Sequence, residues 1–440
     1  PMLTDLPRIG ILASRPPAFS DARRMIEWIG ANRDVCIFLT SADASWFVQR
    51  GFEVRYTNAV RRSLWNSFWS LLFLAFGRIP SSKSNFFLTR LYSLTNLPPH
   101  RRRWLRWVIH FRVKMPNFLS FDFLVRRLKA NEDCQIDDIQ LFFFLTELPC
   151  PFFFSRLVAA RKTVVAYVHS WDHVCKQDTI SSQVARYLVW SPPFVEDIKS
   201  LQNVLPEKVG VVGSSQFSHI YDFLNSATFG RDKTPYDVDY FLFAFSTFEP
   251  IQVHQEMQLV EKILSILERI DPQLYLVLRL YPMRRDQELY RGLDKLRNVI
   301  IDQGFRQSSD GLVMTEQEIG SKYEKIKSAR GLIHVGTTIG FEAAYFDTPI
   351  VQIGQLGFST EVDQAHPLHL NHFIHAYQVK KYLLLESYPN VVNGLHELEA
   401  VLRGCIECPH EYLPYNRAVR SQVPLQSLQT VCENINLALQ

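Results

Sequence analysis

The sequence has few cysteines and no long apolar run. Seven cysteines among 440 residues are odd in number and too sparse for a disulfide-stapled secreted scaffold. No apolar run reaches the roughly 18 residues that a membrane-spanning helix needs, and the nearest, residues 64–76, is interrupted by Asn66, Ser67 and Ser70. The first residues also lack a basic stretch followed by an apolar one, the pattern of a secretory signal. We therefore expect a cytoplasmic protein.

An excess of charge of one sign is also missing. Lys and Arg number 48 and Asp and Glu 44, for a net charge of +4, so we expect no nucleic-acid partner. Hydrophobic residues make up 47% and charged residues 21% of the chain, a composition that argues against disorder. The length is two to three times that of a usual single domain and predicts two domains.

Short apolar segments alternate with helix-like segments in two successive blocks. Those of the first block include RIGILA, VCIFLT, DIQLFFFL, TVVAYVHS, ARYLVW and KVGVVGSS, and those of the second include YFLFAFS, YLVLRLYP, NVIID, GLIHVG and PIVQIG. Because parallel strands need a helix-length connection, this alternation predicts parallel sheets covered by helices. The expected fold class is α/β, with two Rossmann-like doubly wound domains facing a cleft and C-terminal helices near 391–403 and 425–438.

The domain boundaries follow from where the alternation stops. The first domain is predicted over residues 1–215, with an aromatic and basic insertion at 61–118. Residues 216–238 gather polar and turn-forming residues, as an interdomain connection does. The second domain is predicted over 239–440.

The strongest local pattern is GLIHVGTTIGFEAAYFDTPIVQIG at 331–354. A strand ends at Gly336, and Thr337, Thr338 and Ile339 begin a helix, whose N-terminal amides and dipole favour an anion such as a phosphate. Glu342, one turn further on, could accept hydrogen bonds from ribose hydroxyls. The alternative is an ordinary N-cap threonine followed by a helix Glu whose partner is structural.

These residues resemble a known family. The run 331–354 is similar to the sugar-nucleotide-binding strand, turn and helix of GT-B glycosyltransferases and their UDP-N-acetylglucosamine 2-epimerase relatives. VVAYVHSWDHVCKQD at 164–178, YLVW at 187–190, KVGVVGSSQF at 208–217 and YLVLRLYP at 275–282 resemble bacterial surface-polysaccharide transferases akin to CDP-glycerol glycerophosphotransferases. Retaining Kdo transferases of capsule and lipopolysaccharide assembly share this architecture and use CMP-Kdo.

The resemblance implies a GT-B glycosyltransferase. It would move a sugar from a UDP-, CDP- or CMP-linked donor on the second domain to a hydroxyl of a bacterial surface glycan, or of its lipid-linked precursor, on the first. The nucleotide sugar is then a substrate, so no cofactor is expected, and no metal is needed if a helix N-terminus stabilises the leaving phosphate. Two alternatives stay open: a sugar-nucleotide epimerase of the same fold, and a noncatalytic sugar-nucleotide-binding subunit. His173, Tyr281 and the proline-free run 213–217 depart from the family pattern, which leaves the donor open.

Three carboxylates that follow apolar strands are candidates for catalysis. Asp172 lies in HSWDH between His169 and His173, while Glu147 follows FFFLT and Glu249 follows FAFSTF. Ligands of α/β folds gather at strand ends, and a carboxylate beside an imidazole can act as a general base on an acceptor hydroxyl. Asp172 has an equally good alternative as a helix N-cap.

The remaining candidates for ligand binding are an arginine in an apolar strand and a series of regularly spaced histidines. Arg279 lies inside an apolar strand, so we expect an anionic partner, either a donor phosphate or carboxylate or a structural Asp or Glu. Histidines recur at 366, 369, 372 and 375, a period that drifts around a helix and does not favour a metal site. His366 and His369 are instead candidates for contact with the donor.

Tryptophan and arginine are concentrated at residues 61–114. Trp65, Trp69, Trp104 and Trp107 lie there among clustered basic residues, a composition suited to a helix at a bilayer surface. The alternative is a buried helix pair with a solvated basic flank. Peripheral contact through this region would place the protein at the inner face of the inner membrane.

Overall fold

The computed structural model describes residues 7–13, 20–39, 44–57, 65, 69, 121–128, 134–145, 151–176, 181–226, 235–246, 250–281, 290, 292–302, 314–355 and 369–440. These residues form two compact units. One comprises the residues up to His219 together with Leu425–Gln440, and the other comprises Ile220–Pro424. The C-terminal residues thus join the first unit, whereas the sequence analysis assigned all of 239–440 to the second domain.

The first unit is built on a parallel sheet. Its strands are β1 (Ile9–Ala13), β2 (Val35–Leu39), β3 (Glu53–Tyr56), β4 (Leu141–Phe144), β5 (Thr163–Tyr167), β6 (Arg186–Val189) and β7 (Val209–Val211), and they lie in the order β3-β2-β1-β4-β5-β6-β7. The helices between them are α1 (Ser20–Asn32), α2 (Ser45–Val48), α3 (Phe121–Arg127), α4 (Pro151–Ala159), α5 (His173–Lys176) and α6 (Pro192–Gln202). Helix α7 (Ser215–Asn225) follows β7 and continues the chain into the second unit.

The second unit is built on another parallel sheet. Its strands are β8 (Tyr240–Ala244), β9 (Tyr275–Arg279), β10 (Val299–Asp302), β11 (Gly331–His334), β12 (Ile350–Ile353) and β13 (Val391–Val392), in the order β10-β9-β8-β11-β12-β13. Its helices are α8 (Pro250–Ile270), α9 (Glu316–Ser328), α10 (Thr338–Tyr345), α11 (Leu370–Ile374), α12 (Tyr377–Tyr382), α13 (Leu395–Glu407) and α14 (Leu413–Arg420). The last helix, α15 (Leu428–Ala438), belongs to the first unit.

Helices cover the strands, so strand residues that point to either face of a sheet are apolar. All five residues of β1, β2 and β8 are buried. One face of the second sheet packs with α8 and α13 in a core that contains Phe243, Leu278 and Ile333. Helix α15 is fixed to the first unit partly through polar contacts, because Arg33 Nη2 donates to the Asn436 carbonyl at 3.0 Å.

The predicted α/β class with Rossmann-like parallel sheets and C-terminal helices is confirmed, and two details differ. Residues 391–392 form strand β13, paired with β12, rather than the start of a helix, which begins only at Leu395. Residues 215–225 form α7, whereas an interdomain connection was predicted over 216–238. Phe217 and Ile220, one helical turn apart, are buried there, a periodicity hidden by the polar residues between them.

Almost all of the aromatic and basic insertion lies outside the described residues. Of its predicted anchors, Trp65 and Trp69 are described, and their rings pack edge to face with centroids 5.6 Å apart. Trp65 Nε1 donates to the Arg127 carbonyl at 2.8 Å, and Trp69 packs against Phe123. This part of the insertion therefore contacts α3. In the described part of the chain, no helix is both long and apolar enough to cross a membrane.

Close packing at Gly10 gives the first test of the fold. A Cβ at this position in β1 would lie 2.6 Å from a ring carbon of Phe142 and 3.0 Å from one of Phe38, the neighbours on β4 and β2. Both rings are fully buried and cannot move aside without strain, so we expect Gly10→Ala to lower the free energy of unfolding by about 1–3 kcal/mol. Urea denaturation measures the loss. The double variant Gly10→Ala/Phe142→Leu should lose less than the sum of the two single variants, and simple additivity would contradict this packing.

Candidate functional site

The strand order of the second sheet defines a place for a ligand. Successive strands run from β8 through β9 to β10 on one side and from β11 through β12 to β13 on the other, so the order reverses between β8 and β11. At such a switch point, α/β sheets bind ligands outside the carboxyl ends of the strands. Ser246 follows β8 on one side of this switch point, and Gly336 and Thr337 follow β11 on the other.

A buried imidazole shapes the turn after β11. His334 is fully buried, and its Nδ1 accepts hydrogen bonds from the backbone N–H of Gly336 at 3.0 Å and of Thr337 at 3.2 Å. Burial lowers the pKa of His334 to about 3, so the ring is neutral and its proton lies on Nε2. Of Thr337, Thr338 and Ile339, the residues that the sequence analysis assigned to a phosphate, Thr337 therefore donates its amide to His334.

Glycine is required at two points, one in this turn and one in the helix α10 that follows it. Gly336 has φ +124°, and a Cβ there would lie 2.7 Å from Val379 of α12. At Gly340 a Cβ would lie 2.4 Å from His334 Cε1 and 2.5 Å from Nε2. The backbone of α10 thus lies directly against the imidazole that also holds the turn.

The hydroxyl of Thr337 does not cap α10. Thr337 is the N-cap residue, with φ −106° and ψ 162°, but its side chain makes no capping hydrogen bond. Its Oγ1 is buried and has no hydrogen-bond partner in the described part of the chain. Thr338 and Ile339 form the first turn of α10, as the sequence predicts. A helix N-terminus that lies beside such a hydroxyl can bind an anionic oxygen.

Glu342 lies on the same helix and takes part in a buried ion pair. Its side chain is 6% exposed, and Oε1 accepts a hydrogen bond from Lys322 Nζ of α9 at 2.8 Å. The structure thus shows a helix carboxylate with a structural partner, and contact of Glu342 with a ribose stays a prediction.

Polar side chains cross the carboxyl end of the sheet in one row. The register aligns Asp302, Arg279, Ala244, His334 and Gln352 on successive neighbouring strands, so their side chains share a face. All five are buried.

The anionic partner of Arg279 is Asp302. Arg279 Nη1 lies 2.5 Å from Asp302 Oδ2, and Lys325 Nζ of α9 lies 2.6 Å from Oδ1. Burial acts to raise the pKa of Asp302, but the charges and hydrogen bonds of Arg279 and Lys325 outweigh it and hold this pKa below its ordinary value. The structural carboxylate, one of the two expected partners, is thus present. Asp302 ends the strand NVIID, and its contact with Arg279 depends on β10 lying beside β9, which the sequence pattern alone does not show.

A second buried carboxyl group holds the loop after β8. Glu256 of α8 is fully buried, and its Oε1 accepts hydrogen bonds from the Ser246 N–H at 2.9 Å and the Ser246 hydroxyl at 2.7 Å. Burial raises the pKa of Glu256 to about 8, although the bonds from Ser246 act to lower it. Glu256 is therefore protonated at neutral pH. The sequence analysis missed it because it lies within the amphipathic pattern of a long helix.

Asp172 and His169, two predicted catalytic residues of the first unit, contact different partners. Asp172 directly precedes α5, at the position of an N-cap, and its Oδ1 accepts the Ser170 hydroxyl at 2.6 Å. His169 follows β5, and its Nε2 lies 3.2 Å from Asp21 Oδ2. Asp21, which the sequence analysis did not single out, supplies the carboxylate contact of His169.

Other candidates lie outside the described residues or have ordinary contacts. Glu147, Glu249 and His366 are not among the described residues. His369 is the N-cap of α11, where its side chain accepts the Asn371 N–H. Within the described residues, no group of three or more His, Cys, Asp or Glu side chains is arranged to hold a metal ion.

Comparison with known proteins supports the fold. No protein-family model and no curated protein sequence matches the chain. Solved structures do match. MnaA of S. aureus with UDP is 10% identical, the match covers 99% of this chain and 98% of that chain, and the TM-score is 0.50. The UDP-GlcNAc 2-epimerase of Methanocaldococcus jannaschii with UDP-GlcNAc and UDP is 10% identical, the match covers 98% of this chain and 99% of that chain, and the TM-score is 0.50. A lipopolysaccharide outer core galactosyltransferase, WaaB, is also similar (11%, 98% of each chain, TM-score 0.45). The fold is thus GT-B-like, with two Rossmann-like units, and its structural neighbours include glycosyltransferases and UDP-GlcNAc 2-epimerases.

The buried carboxyl group of Glu256 should make stability depend on pH. Because its pKa is raised from 4.5 to about 8, the folded chain binds this proton more tightly than the unfolded chain. The contribution to stability is complete below about pH 4.5 and is lost as the pH rises to about 8. Glu256→Gln keeps an acceptor for Ser246 and has no proton to lose. The variant should be more stable than wild type above this range, by a difference on the order of a few kcal/mol.

Urea denaturation across this pH range measures the difference. Glu261→Gln, at an exposed position of the same helix, is the matched control and should keep the wild-type pH dependence. An equal slope for Glu256→Gln and wild type would show that Glu256 is ionised in the folded protein.

Proposed function

We propose that this protein is a glycosyltransferase that moves a sugar from a nucleotide-sugar donor to a hydroxyl of a bacterial surface glycan or of its lipid-linked precursor. The observation that carries the proposal is the N-terminus of α10 at the switch point of the second sheet, with the Thr337 hydroxyl beside it and no capping bond. Structural neighbours at a TM-score of 0.50 were determined with UDP or UDP-GlcNAc, which supports a nucleotide sugar as the ligand.

The donor diphosphate would lie against the first turn of α10. Amides of this turn and the Thr337 hydroxyl would bind phosphate oxygens, and the helix dipole would stabilise the charge that develops on the leaving group. Lys322 is paired with Glu342, and Lys325 and Arg279 are both paired with Asp302. In this proposal the chemistry needs neither a metal ion nor a cofactor.

The acceptor would bind at the carboxyl end of the first sheet. An acceptor hydroxyl must lose a proton as it attacks the anomeric carbon, and His169, Asp172, Glu147 and Glu249 remain the candidates for the base or nucleophile. His169 and Asp172 lie directly after β5, at the edge of the sheet where ligands gather.

A ligand panel tests the proposed function. Thermal unfolding with UDP, CMP, CDP, GDP and their sugars should identify a nucleotide that stabilises the protein, and transfer should then require an acceptor glycan. Product formed from UDP-GlcNAc without an acceptor would instead support an epimerase, which is the name of the structural neighbour from Methanocaldococcus jannaschii. Binding without turnover on any acceptor would support a noncatalytic subunit, and no stabilisation by any nucleotide would refute all three functions.

The donor site can be tested at Thr337. Thr337→Val removes a hydroxyl that bonds to nothing in the described part of the chain, so stability should not fall, while affinity for the stabilising nucleotide should fall roughly tenfold. Thr338→Glu should abolish binding by repelling the phosphates. Isothermal titration calorimetry measures both effects.

The matched control is Thr348→Val. The Thr348 hydroxyl is buried and donates to the Ile326 carbonyl at 2.8 Å, so its loss should lower stability by about 1 kcal/mol and leave nucleotide affinity unchanged. Unchanged affinity in both the Thr337 and Thr338 variants would place the donor elsewhere.

We also propose that residues 61–114 attach the protein to the inner face of the inner membrane. Each Lys or Arg near an anionic surface contributes about 1 kcal/mol, and salt weakens the attraction. Liposome flotation should therefore recover wild type with anionic vesicles at low salt and recover less of a variant with alanine at Trp65, Trp69, Trp104 and Trp107. Equal amounts of both proteins in the unbound fraction would contradict membrane attachment.

A further inference from the structure

A carboxyl group lies in the apolar face of the long helix α8. Val253, Glu256 and Val260 are spaced by three and four residues, so they share one face of the helix, and all three are fully buried. The two valines belong to the core of the second unit. Glu256 thus occupies a position that suits an apolar side chain, and packing alone does not explain its presence.

This carboxyl group is bonded at one oxygen. Oε1 accepts both bonds from Ser246, whereas Oε2 is buried and has no hydrogen-bond partner in the described part of the chain. The neighbouring Gln255 shows that a neutral amide can hold a backbone segment here, because its Oε1 accepts the Leu370 N–H at 2.7 Å. A glutamine in place of Glu256 could accept the Ser246 bonds in the same way. What the carboxyl group adds is a proton that it can lose.

Glu256 holds the segment that borders the candidate donor site. Ala244 of β8 pairs with His334 of β11, and Ser246 and Gly336 follow these two residues by two positions each. Neighbouring strands lie about 5 Å apart, and Glu256 is one hydrogen bond beyond Ser246, so a phosphate beside Gly336 would lie on the order of 10 Å from the carboxyl group. A charge on Glu256 would therefore act on a bound phosphate.

Within the described residues, no charged group contributes to the pKa of Glu256. Burial raises this pKa to about 8, and the two bonds from Ser246 act to lower it. The ionisation of Glu256 therefore depends on burial, and any further negative charge nearby would make its proton harder to remove.

Other ionisable groups lie on α8 and on the elements around it. Arg279 and His334 alternate with the strand residues that pack with α8, so they point to the other face of the sheet. Burial raises the pKa of Cys405 to about 12, and Glu399 is paired with an arginine of α8. We therefore expect Glu256 to be the group in this described region whose charge changes near pH 8. The full set on these elements includes His254, Arg279, His334, His369, His372, Glu399 and Cys405.

We propose that the proton on Glu256 regulates binding of the nucleotide-sugar donor, because the neutral carboxyl group permits the diphosphate to bind and the ionised group repels it. This inference rests on the proposed function. A bound diphosphate favours the protonated form, so formation of the complex takes up a proton whenever the free protein has lost it. Affinity should be complete below about pH 8 and should fall as the pH rises above this value.

The pH dependence of donor affinity tests the proposal. UDP-GlcNAc is the probe, because both of its phosphates are esterified and keep a fixed charge over the range. We expect the Kd of wild type to rise severalfold from about pH 6 to about pH 9, on either side of the pKa of about 8. Glu256→Gln cannot ionise, so its Kd should stay nearly constant. Ionisation of the uracil at high pH affects both proteins equally.

Proton uptake is the second measurement. Calorimetric titrations near pH 8, in Tris and in HEPES, differ by the ionisation enthalpies of the buffers and so count the protons that binding takes up. Wild type should take up a fraction of one proton and Glu256→Gln none. Glu261→Gln, at an exposed position of the same helix, is the matched control and should take up as much as wild type. The comparison also separates Glu256 from Glu249, which is not among the described residues.

The outcomes separate this inference from the proposed function. If Glu256 only holds Ser246, Glu256→Gln and wild type will show parallel pH profiles and equal proton uptake, which would overturn the inference and leave the donor site intact. Absence of proton uptake by wild type would contradict it without any variant. Failure of UDP-GlcNAc to bind at any pH would also overturn it, whereas the proposed function is decided by the ligand panel.

Discussion

The burial of one neutral imidazole shapes the candidate donor site. His334 lies at the end of a central strand, away from water, and desolvation keeps it uncharged. Its Nδ1 fixes the two amides of the turn, while its other edge contacts the helix backbone at Gly340. A charged histidine has no lone pair at Nδ1 and could not accept these amides. The path of the chain from β11 into α10 therefore depends on a histidine that stays neutral.

Buried acids hold the loops at the strand ends of both units, and their neighbours decide whether they are charged. Within the described residues, Glu256 has only the neutral donors of Ser246, so burial prevails and the group keeps its proton. Asp302 has two cations within hydrogen-bond distance, and Asp21 contacts the imidazole of His169. Both carboxyl groups, Asp302 and Asp21, are ionised. The cost of burying a charge thus keeps Glu256 neutral, whereas the partners of Asp302 and Asp21 outweigh this cost and keep both carboxylates charged.

The sequence predicted the fold class and the strand and helix that carry the turn, because apolar periodicity and turn residues are local signals. It also predicted an anion for Arg279 from the cost of burying its charge. It did not predict that Asp302 supplies this anion or that Asp21 contacts His169, since both contacts depend on which strands and helices become neighbours. Nor could the pattern GLIHVGTT show that His334 takes the amides of its own turn, because that requires the ring orientation.

The pairing of Arg279 also changes how a phosphate would be stabilised. A guanidinium shared with Asp302 adds much less potential at a distance than an unpaired one, and Lys322 and Lys325 are likewise bonded to carboxylates. Most of the favourable interaction would then come from oriented amides at the start of α10 and from the Thr337 hydroxyl. Such dipoles are fixed in place before the ligand arrives and need little reorganisation as charge develops. Since His334 and the glycines place these groups, stabilisation of a bound phosphate would depend on the packing of the turn more than on the paired cations described near it.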